Sequence, residues 1–194
     1  DAALASVLAA GGVDVAKIRA DTSMVVVADP GLKVMIDLKE TVLKQSSAPN
    51  TIGILEGTDP KLKHEYLVYS AHMDHVGIAS GKPDSIHNGA DDDASGTVGV
   101  VELAEAFSRP GARPKRSVLF ITVSGEEKGL WGSNYFGNHP TGPLKDMVAD
   151  INLDMIGRNW PDTIVAIGRE HSDLGKTLEA VNAQHPELGM AAID

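Results

Sequence analysis

The chain has 194 residues, 17 Lys and Arg against 27 Asp and Glu for a net charge of -10, and no cysteine. That length can bury a real core as one domain, and the missing thiols exclude thiolate metal sites, a cysteine nucleophile and any disulfide framework. The acidic balance, with no Lys/Arg stripe among aromatics, argues against nucleic acid as a partner, and the longest apolar runs, such as 24 to 28 and 118 to 123, fall far below the roughly 20 residues of a membrane span.

The Ala-rich start, Ala2 to Ala10 followed by Gly11-Gly12, predicts a short helix with a glycine stop. It lacks the basic start of a signal peptide. Residues 24 to 45 read as extended, because Val34, Ile36 and Leu38 alternate with Lys33, Asp37 and Lys39 in the period of a half-exposed edge strand. Thr51 to Leu55 is a second strand, and Glu65 to Ala71 a third that ends at His72. A helix is expected over Ala94 to Phe107, with Val100, Leu103, Ala104 and Phe107 on one face. Ser117 to Val123 is a near-continuous apolar strand of the kind buried on both faces, and it delivers Glu126 and Glu127 just past its end. A short helix at Trp131 to Asn138, a strand at Val148 to Leu153 ending at Asp154, a strand at Thr163 to Gly168 and a helix at Ser172 to Gln184, which Ser172 is placed to cap, complete the chain.

Alternating strands and helices predict an α/β three-layer sandwich with a mixed, largely parallel central sheet flanked by helices. Ligands bind outside the carboxyl ends of such strands. His72, the Glu126/Glu127 pair and Asp154 all lie at those ends. Carboxylates near a core are costly unless a positive group pairs with them, so this set asks for cations, and zinc is the natural candidate.

Each motif has its own chemistry. In AHMDHVG (71 to 77) the His72-x-Asp74 spacing suits a ligating imidazole whose second ring nitrogen is held by a carboxylate; His75 lacks such a partner and reads as structural or solvent-facing. The Asp91-Asp92-Asp93 run in NGADDDASG puts three charges at a helix N-terminus, more than the helix dipole alone accounts for. Calcium is a competing ion there, although the acidic residues lack EF-hand spacing. In VSGEEKG one carboxylate can hold metal while its neighbour serves as general base. Asp154 in INLDMIG sits among apolar residues, where an unpaired carboxylate is rare. Taken alone, His72-x-Asp74 reads more simply as a polar surface turn, a helix-start acidic pair accounts for the two glutamates as well as metal chemistry does, and a solvated helix cap is the lesser alternative for the Asp run.

Taken together, in order, His-x-Asp, Asp-Asp-Ala-Ser-Gly, Gly-Glu-Glu and Asn-Leu-Asp-Met resemble the co-catalytic di-zinc aminopeptidases, metallopeptidase family twenty-eight, which includes bacterial leucyl-type aminopeptidases and glutamate carboxypeptidases. The match runs from about Thr51 to Arg158. The resemblance implies that His72, Asp92 and Asp154 hold one zinc, that Asp92 bridges to a second zinc held by Glu127, that Glu126 is the general base and that Asp74 orients His72. It implies hydrolysis of peptides with a free N-terminus through a zinc-bridging hydroxide, two Zn2+ per intact catalytic domain, and export to the periplasm or outside the cell.

The family's second zinc also takes a histidine from a loop well beyond the Asp154 motif. None of His139, His171 and His185 lies in that context, so the chain is expected to be truncated at its C-terminus, with a single complete zinc shell. Residues 1–48 are expected to be a lead-in that follows an absent protease-associated domain, and 49–194 a partial catalytic domain. Other readings are a catalytically silent binding module of the same fold, a glutaminyl cyclase, or a related di-zinc deacylase. Oligomeric state is left open.

Overall fold

The computed structural model describes residues 2–14, 16, 20, 35, 37–81 and 83–193. The chain forms two compact units, Asp1–Gln45 and Ser46–Asp194. In the first, α1 (Ala2–Ala10) ends as the glycine pair predicts. Gly12 takes a positive φ of 79°, and its N–H donates to the Ala9 carbonyl while that of Val13 donates to the Leu8 carbonyl. These paired bonds are the Schellman closure, which satisfies carbonyls that the helix itself leaves open.

The extended segment differs from its prediction. Residues 37–45 have no regular secondary structure and are exposed, while Val34 and Ile36 lie outside the described residues. Alternation along a strand stabilises it only where a neighbour supplies a hydrogen-bond ladder and an apolar face, and no described residue pairs with this segment.

The second unit holds β1 (Thr51–Leu55), β2 (Tyr66–His72), α2 (Ala94–Ser108), β3 (Ser117–Val123), α3 (Trp131–Asn138), β4 (Met147–Asn152), β5 (Thr163–Val165), α4 (Leu174–Gln184) and β6 (Ala191–Ile193). The first four strands make one sheet in the order β1-β3-β2-β4. Strand β2 runs parallel to both β3 and β4, and β1 is antiparallel to β3. A parallel β5–β6 pair forms a separate two-stranded sheet. Helix α4 starts two residues later than predicted, and Ser172 Oγ accepts the Leu174 N–H at 3.2 Å.

Alternation of side chains across the sheet explains why helices cover both faces. On one face Val68, Leu119, Ile121 and Val123 are buried, with Phe136 of α3 packed against them. On the other, Ala71, Val118 and Phe120 meet Val100, Leu103, Ala104 and Phe107 of α2. Tyr69, Phe107 and Phe120 cluster with ring centroids 5.9 to 6.4 Å apart, within the range where aromatic pairs attract beyond area burial. The central strand β3 is therefore apolar on both faces, whereas β4 at the edge is half open. The architecture is a mixed α/β sheet flanked by helices. Among the described residues no helix is long and apolar enough to cross a membrane.

Candidate metal centre

Because β2, β3 and β4 are mutually parallel, their carboxyl ends share one rim. His72 is the last residue of β2, Glu126 and Glu127 follow β3, Asp154 follows β4, and the acidic run 91–93 precedes α2. The pairing continues past the strand ends, since Met73 N–H donates to the Val123 carbonyl at 2.9 Å and Leu153 N–H to the Ser70 carbonyl at 2.8 Å. The loops bearing the acidic residues thus start from a fixed frame.

Asp93 ties the loops together. It is 2 % exposed. Its Oδ2 accepts the His72 N–H at 3.1 Å, and its Oδ1 accepts the N–H groups of Gly96 at 3.0 Å and Met155 at 3.2 Å. One carboxylate therefore caps α2 and pins the residue next to Asp154 and the backbone of His72. Thr97 Oγ1 donates to the His72 carbonyl at 2.8 Å, a second tie between α2 and β2. Gly96 is required by this packing, because a Cβ there would lie 2.1 Å from the Leu153 carbonyl oxygen and 2.5 Å from Asp93 Oδ1. Asp91 makes a parallel clamp outside, accepting from Gly157 N and Arg158 Nε, both at 2.9 Å.

Two donor sets result. His72, Asp92 and Asp154 form the first, with His72 Nε2 3.1 Å from Asp92 Oδ1 and 3.9 Å from Asp154 Oδ2. Asp92 also belongs to the second, with Glu127 and His75. His75 Nδ1 lies 2.5 Å from Glu127 Oε1 and 3.9 Å from Asp92 Oδ1. Sequence reasoning placed His75 among structural or solvent-facing residues. Its partners come from loops 17 and more residues away in the chain or later, which spacing within AHMDHVG does not show. Glu126 is in neither set, and lines a cleft of about 540 Å³ together with His72, Asp154, Val68, Ile121 and Phe136. His139 instead stacks on Tyr135, and His171 and His185 pair with Glu170 and Glu187.

The contact that orients His72 differs from the one expected. Its Nδ1 meets the backbone carbonyl of Asp74 at 3.0 Å, while the Asp74 carboxylate is 3.9 Å away. That carboxylate accepts the Glu126 N–H at 3.2 Å. A proton on Nδ1, donated to a carbonyl, leaves Nε2 with a free lone pair toward Asp92, the form a metal ligand requires.

The electrostatics fit a cation. Burial raises the Asp154 pKa, and the carboxylates of Asp93, Asp92 and Asp91 raise it further against the pull of His72. Glu126 is raised by burial and by Glu127, Asp154 and Asp74, again opposed by His72. Burial would lower the His72 pKa, but the Asp74 carbonyl and the charges of Asp93, Asp154 and Glu126 outweigh it and leave it raised. The Arg158 guanidinium pairs with Asp91 at the outer edge of this group, and no Lys or Arg of the described residues lies within ion-pair distance of Asp92, Asp154, Glu126 or Glu127. Oxygen and imidazole donors are those zinc takes when no thiolate is present.

These shifts carry a prediction. All three groups hold protons more tightly folded than unfolded, so the metal-free fold loses stability as pH rises through their folded values. From ordinary values of 3.8, 4.5 and 6.5, the loss is expected to begin above about pH 4 and to continue past about pH 6.5. Added zinc should reverse the trend, because ligands shed protons to bind metal. Thermal melts across this range, with and without zinc, check both slopes; a metal-free Tm that climbs with pH would contradict the assignment.

The fold and these donors define an α/β protein with metal-competent side chains gathered at the carboxyl rim of its sheet. The model of peptidase family M28 matches residues 50–188, and the chain belongs to that family. Aminopeptidase YwaD of Bacillus subtilis is 32% identical over 126 residues, 63% of this chain and 25% of that protein. A probable zinc metalloprotease of Pyrenophora tritici-repentis is 32% identical over 108 residues, 52% of this chain and 22% of that protein. The chain thus spans about a quarter of the length of these curated relatives. Among solved structures, a leucine aminopeptidase precursor from Bacteroides thetaiotaomicron superimposes with a TM-score of 0.55 at 21% identity, covering 76% of this chain and 58% of the other, a likeness of fold.

Proposed function

We propose that the protein is a zinc-dependent aminopeptidase in which His72, Asp92 and Asp154 hold a metal ion and Glu126 moves the proton. The observation that carries this reading is the position of Glu126, a carboxylate outside both donor sets yet in one cleft with His72 and Asp154. The names of the bacterial and fungal relatives support peptide hydrolysis, zinc and a free N-terminus on the substrate.

A bound zinc supplies Lewis acidity, which polarises the scissile carbonyl and makes a neighbouring water more acidic. The residues divide the remaining work. The Asp74 carbonyl holds the His72 ring so that Nε2 faces Asp92 and Asp154. The Asp74 carboxylate holds the Glu126 backbone. Glu126, with its pKa raised by burial and by Glu127, takes a proton from the attacking water and returns it to the leaving amine as the peptide bond breaks. A raised carboxyl pKa brings both its forms closer to the working pH, which suits this exchange.

The test is hydrolysis of aminoacyl-anilides by the intact protein. Activity is expected to vanish with chelator, to return with zinc, and to be absent on N-blocked substrates. Activity that survives removal of metal would refute the reading.

A further inference from the structure

We infer that Asn50 is a positioning residue of the proposed reaction, its carboxamide closing the neck of the loop that carries Glu126. This rests on the hydrolase reading above and concerns a residue in neither donor set. Strand β1 is antiparallel to β3 with Thr51 opposite Thr122, so the residue just before β1 stands beside the chain just past β3. Asn50 occupies that place, 74 residues before Ser124.

The neck is where Ser124 and Gly132 meet. The Gly132 N–H donates to the Ser124 carbonyl at 2.8 Å, and the Trp131 N–H to the Gly125 carbonyl at 3.0 Å. Neither bond uses the N–H of Ser124, a buried residue, and a buried backbone donor needs an acceptor. Asn50 Oδ1 accepts that N–H at 3.1 Å, while Asn50 Nδ2 donates to the Gly132 carbonyl at 2.8 Å. One planar carboxamide thus joins the two ends of the loop. Ser124 Oγ adds a bond to the Pro49 carbonyl at 2.8 Å. Turning the amide over would set N–H against N–H and oxygen against oxygen, so these partners fix which end is which. An ionised Asp has the same shape and no donor, so it could close only half of the neck. The fit is close, because a Cβ on Gly132 would lie 2.5 Å from Asn50 Oδ1 and 2.4 Å from the Ser124 carbonyl oxygen.

The loop held in this way is strained. Gly125 and Gly129 have φ of 76° and 107°, and Leu130 takes 61° although it carries a Cβ. A residue other than glycine stays in the left-handed region only when its surroundings hold it there. The Leu130 N–H donates to the Glu126 carbonyl at 2.9 Å, and Leu130 lines the same cleft as Glu126. Relaxation at Leu130 would therefore move the backbone of the general base. Asp74 holds the Glu126 N–H from within the loop, and Asn50 holds the ends between which the loop is stretched. With the carboxamide gone, the neck can open and Glu126 shifts in the cleft; a displacement of about 1 Å is enough to cost up to about 10²-fold in rate.

The experiment compares Asn50→Asp, Asn50→Ala and Leu130→Gly in the intact, zinc-loaded protein, with aminoacyl-anilide as substrate. Asn50→Asp and Asn50→Ala are expected to lower kcat by about 10–100-fold. KM should change little and zinc should stay on His72, Asp92 and Asp154, none of which lies on the loop, the pattern of an interaction lost in the transition state. In a Leu130→Gly background, where the left-handed conformation carries no Cβ penalty, Asn50→Ala should cost several-fold less. Amide exchange over residues 124–132 of the metal-free variants should quicken by about tenfold or more while that of β3 stays as it was. Variants with unchanged kcat and a lower Tm would overturn the inference, and so would failure of both Asn50 variants to fold, since either result makes Asn50 a stability residue alone. An equal loss in the two backgrounds would show that the neck restrains no strain and would overturn it as well. Hydrolysis by the unsubstituted protein that survives chelator would instead sink the proposed function, so the two failures are distinguishable.

Discussion

Glu126→Gln is expected to lower the turnover of an aminoacyl-anilide by about 10²–10⁴-fold, the usual contribution of a positioned general acid–base, while zinc content stays as it was. Both halves of the result follow from geometry. Glu126 lies outside the two donor sets, so an amide there removes no ligand. Its backbone N–H is held by Asp74 whatever the side chain is, so the loop keeps its path. What the amide cannot do is accept a proton from water and pass it on. The substitution also relieves the repulsion that raises the Glu126 pKa, chiefly from Glu127 among its neighbours, so the fold should be no less stable. Turnover at saturating substrate, measured beside metal analysis, separates the two effects. A loss under tenfold would remove Glu126 from the chemistry, and a loss of zinc would make it a ligand instead.

The largest expected effect on stability belongs to Asp93. Its substitution by Ala leaves three backbone N–H groups, of His72, Gly96 and Met155, without their acceptor. Bonds to a charged acceptor are worth more than neutral ones, and loss of a helix N-cap alone costs about 1 kcal/mol. Some of the freed groups will find water, so a total on the order of 3–5 kcal/mol is expected. For a domain of this size that corresponds to a fall in Tm of roughly 10 °C. Asp93→Asn should lose less, since the amide oxygen still accepts. Differential scanning calorimetry of the metal-free proteins checks the order. Equal melting of Asp93→Ala and the unsubstituted chain would show that Asp93 does not hold the rim together.

Much of this arrangement was legible in the residues. Ser117–Val123 could be bounded because a run apolar on both faces has few other uses, and the structure buries it on both. The strand ends carried the site, since a polar residue directly after such a run must sit at the rim. Two things were hidden. In Asp91-Asp92-Asp93 nothing local says which carboxylate turns into the protein, and the inward one, Asp93, is fixed by amides from Met155 and His72 in other segments. His75 likewise acquires its neighbours only when β2 and β3 pair and bring Glu127 across. The edge strand expected from the alternation over 33–39 lies mostly outside the described residues, and the described part, 37–45, has no regular secondary structure. Local pattern reports what a segment can do, and tertiary pairing decides whether it does so.

The pairing of β2 with β4 sets an order in time for the living chain. Ser70 and Asn152 lie opposite each other in that pairing although they are 82 residues apart. At about 5–20 residues per second of synthesis, His72 leaves the ribosome on the order of ten seconds before Asp154 exists. Through that interval His72 and Asp92 have neither the third donor nor the Met155 amide that steadies Asp93. If the first set holds the metal as proposed, its loading follows translation of β4, because a nascent chain paused before that strand lacks the third donor.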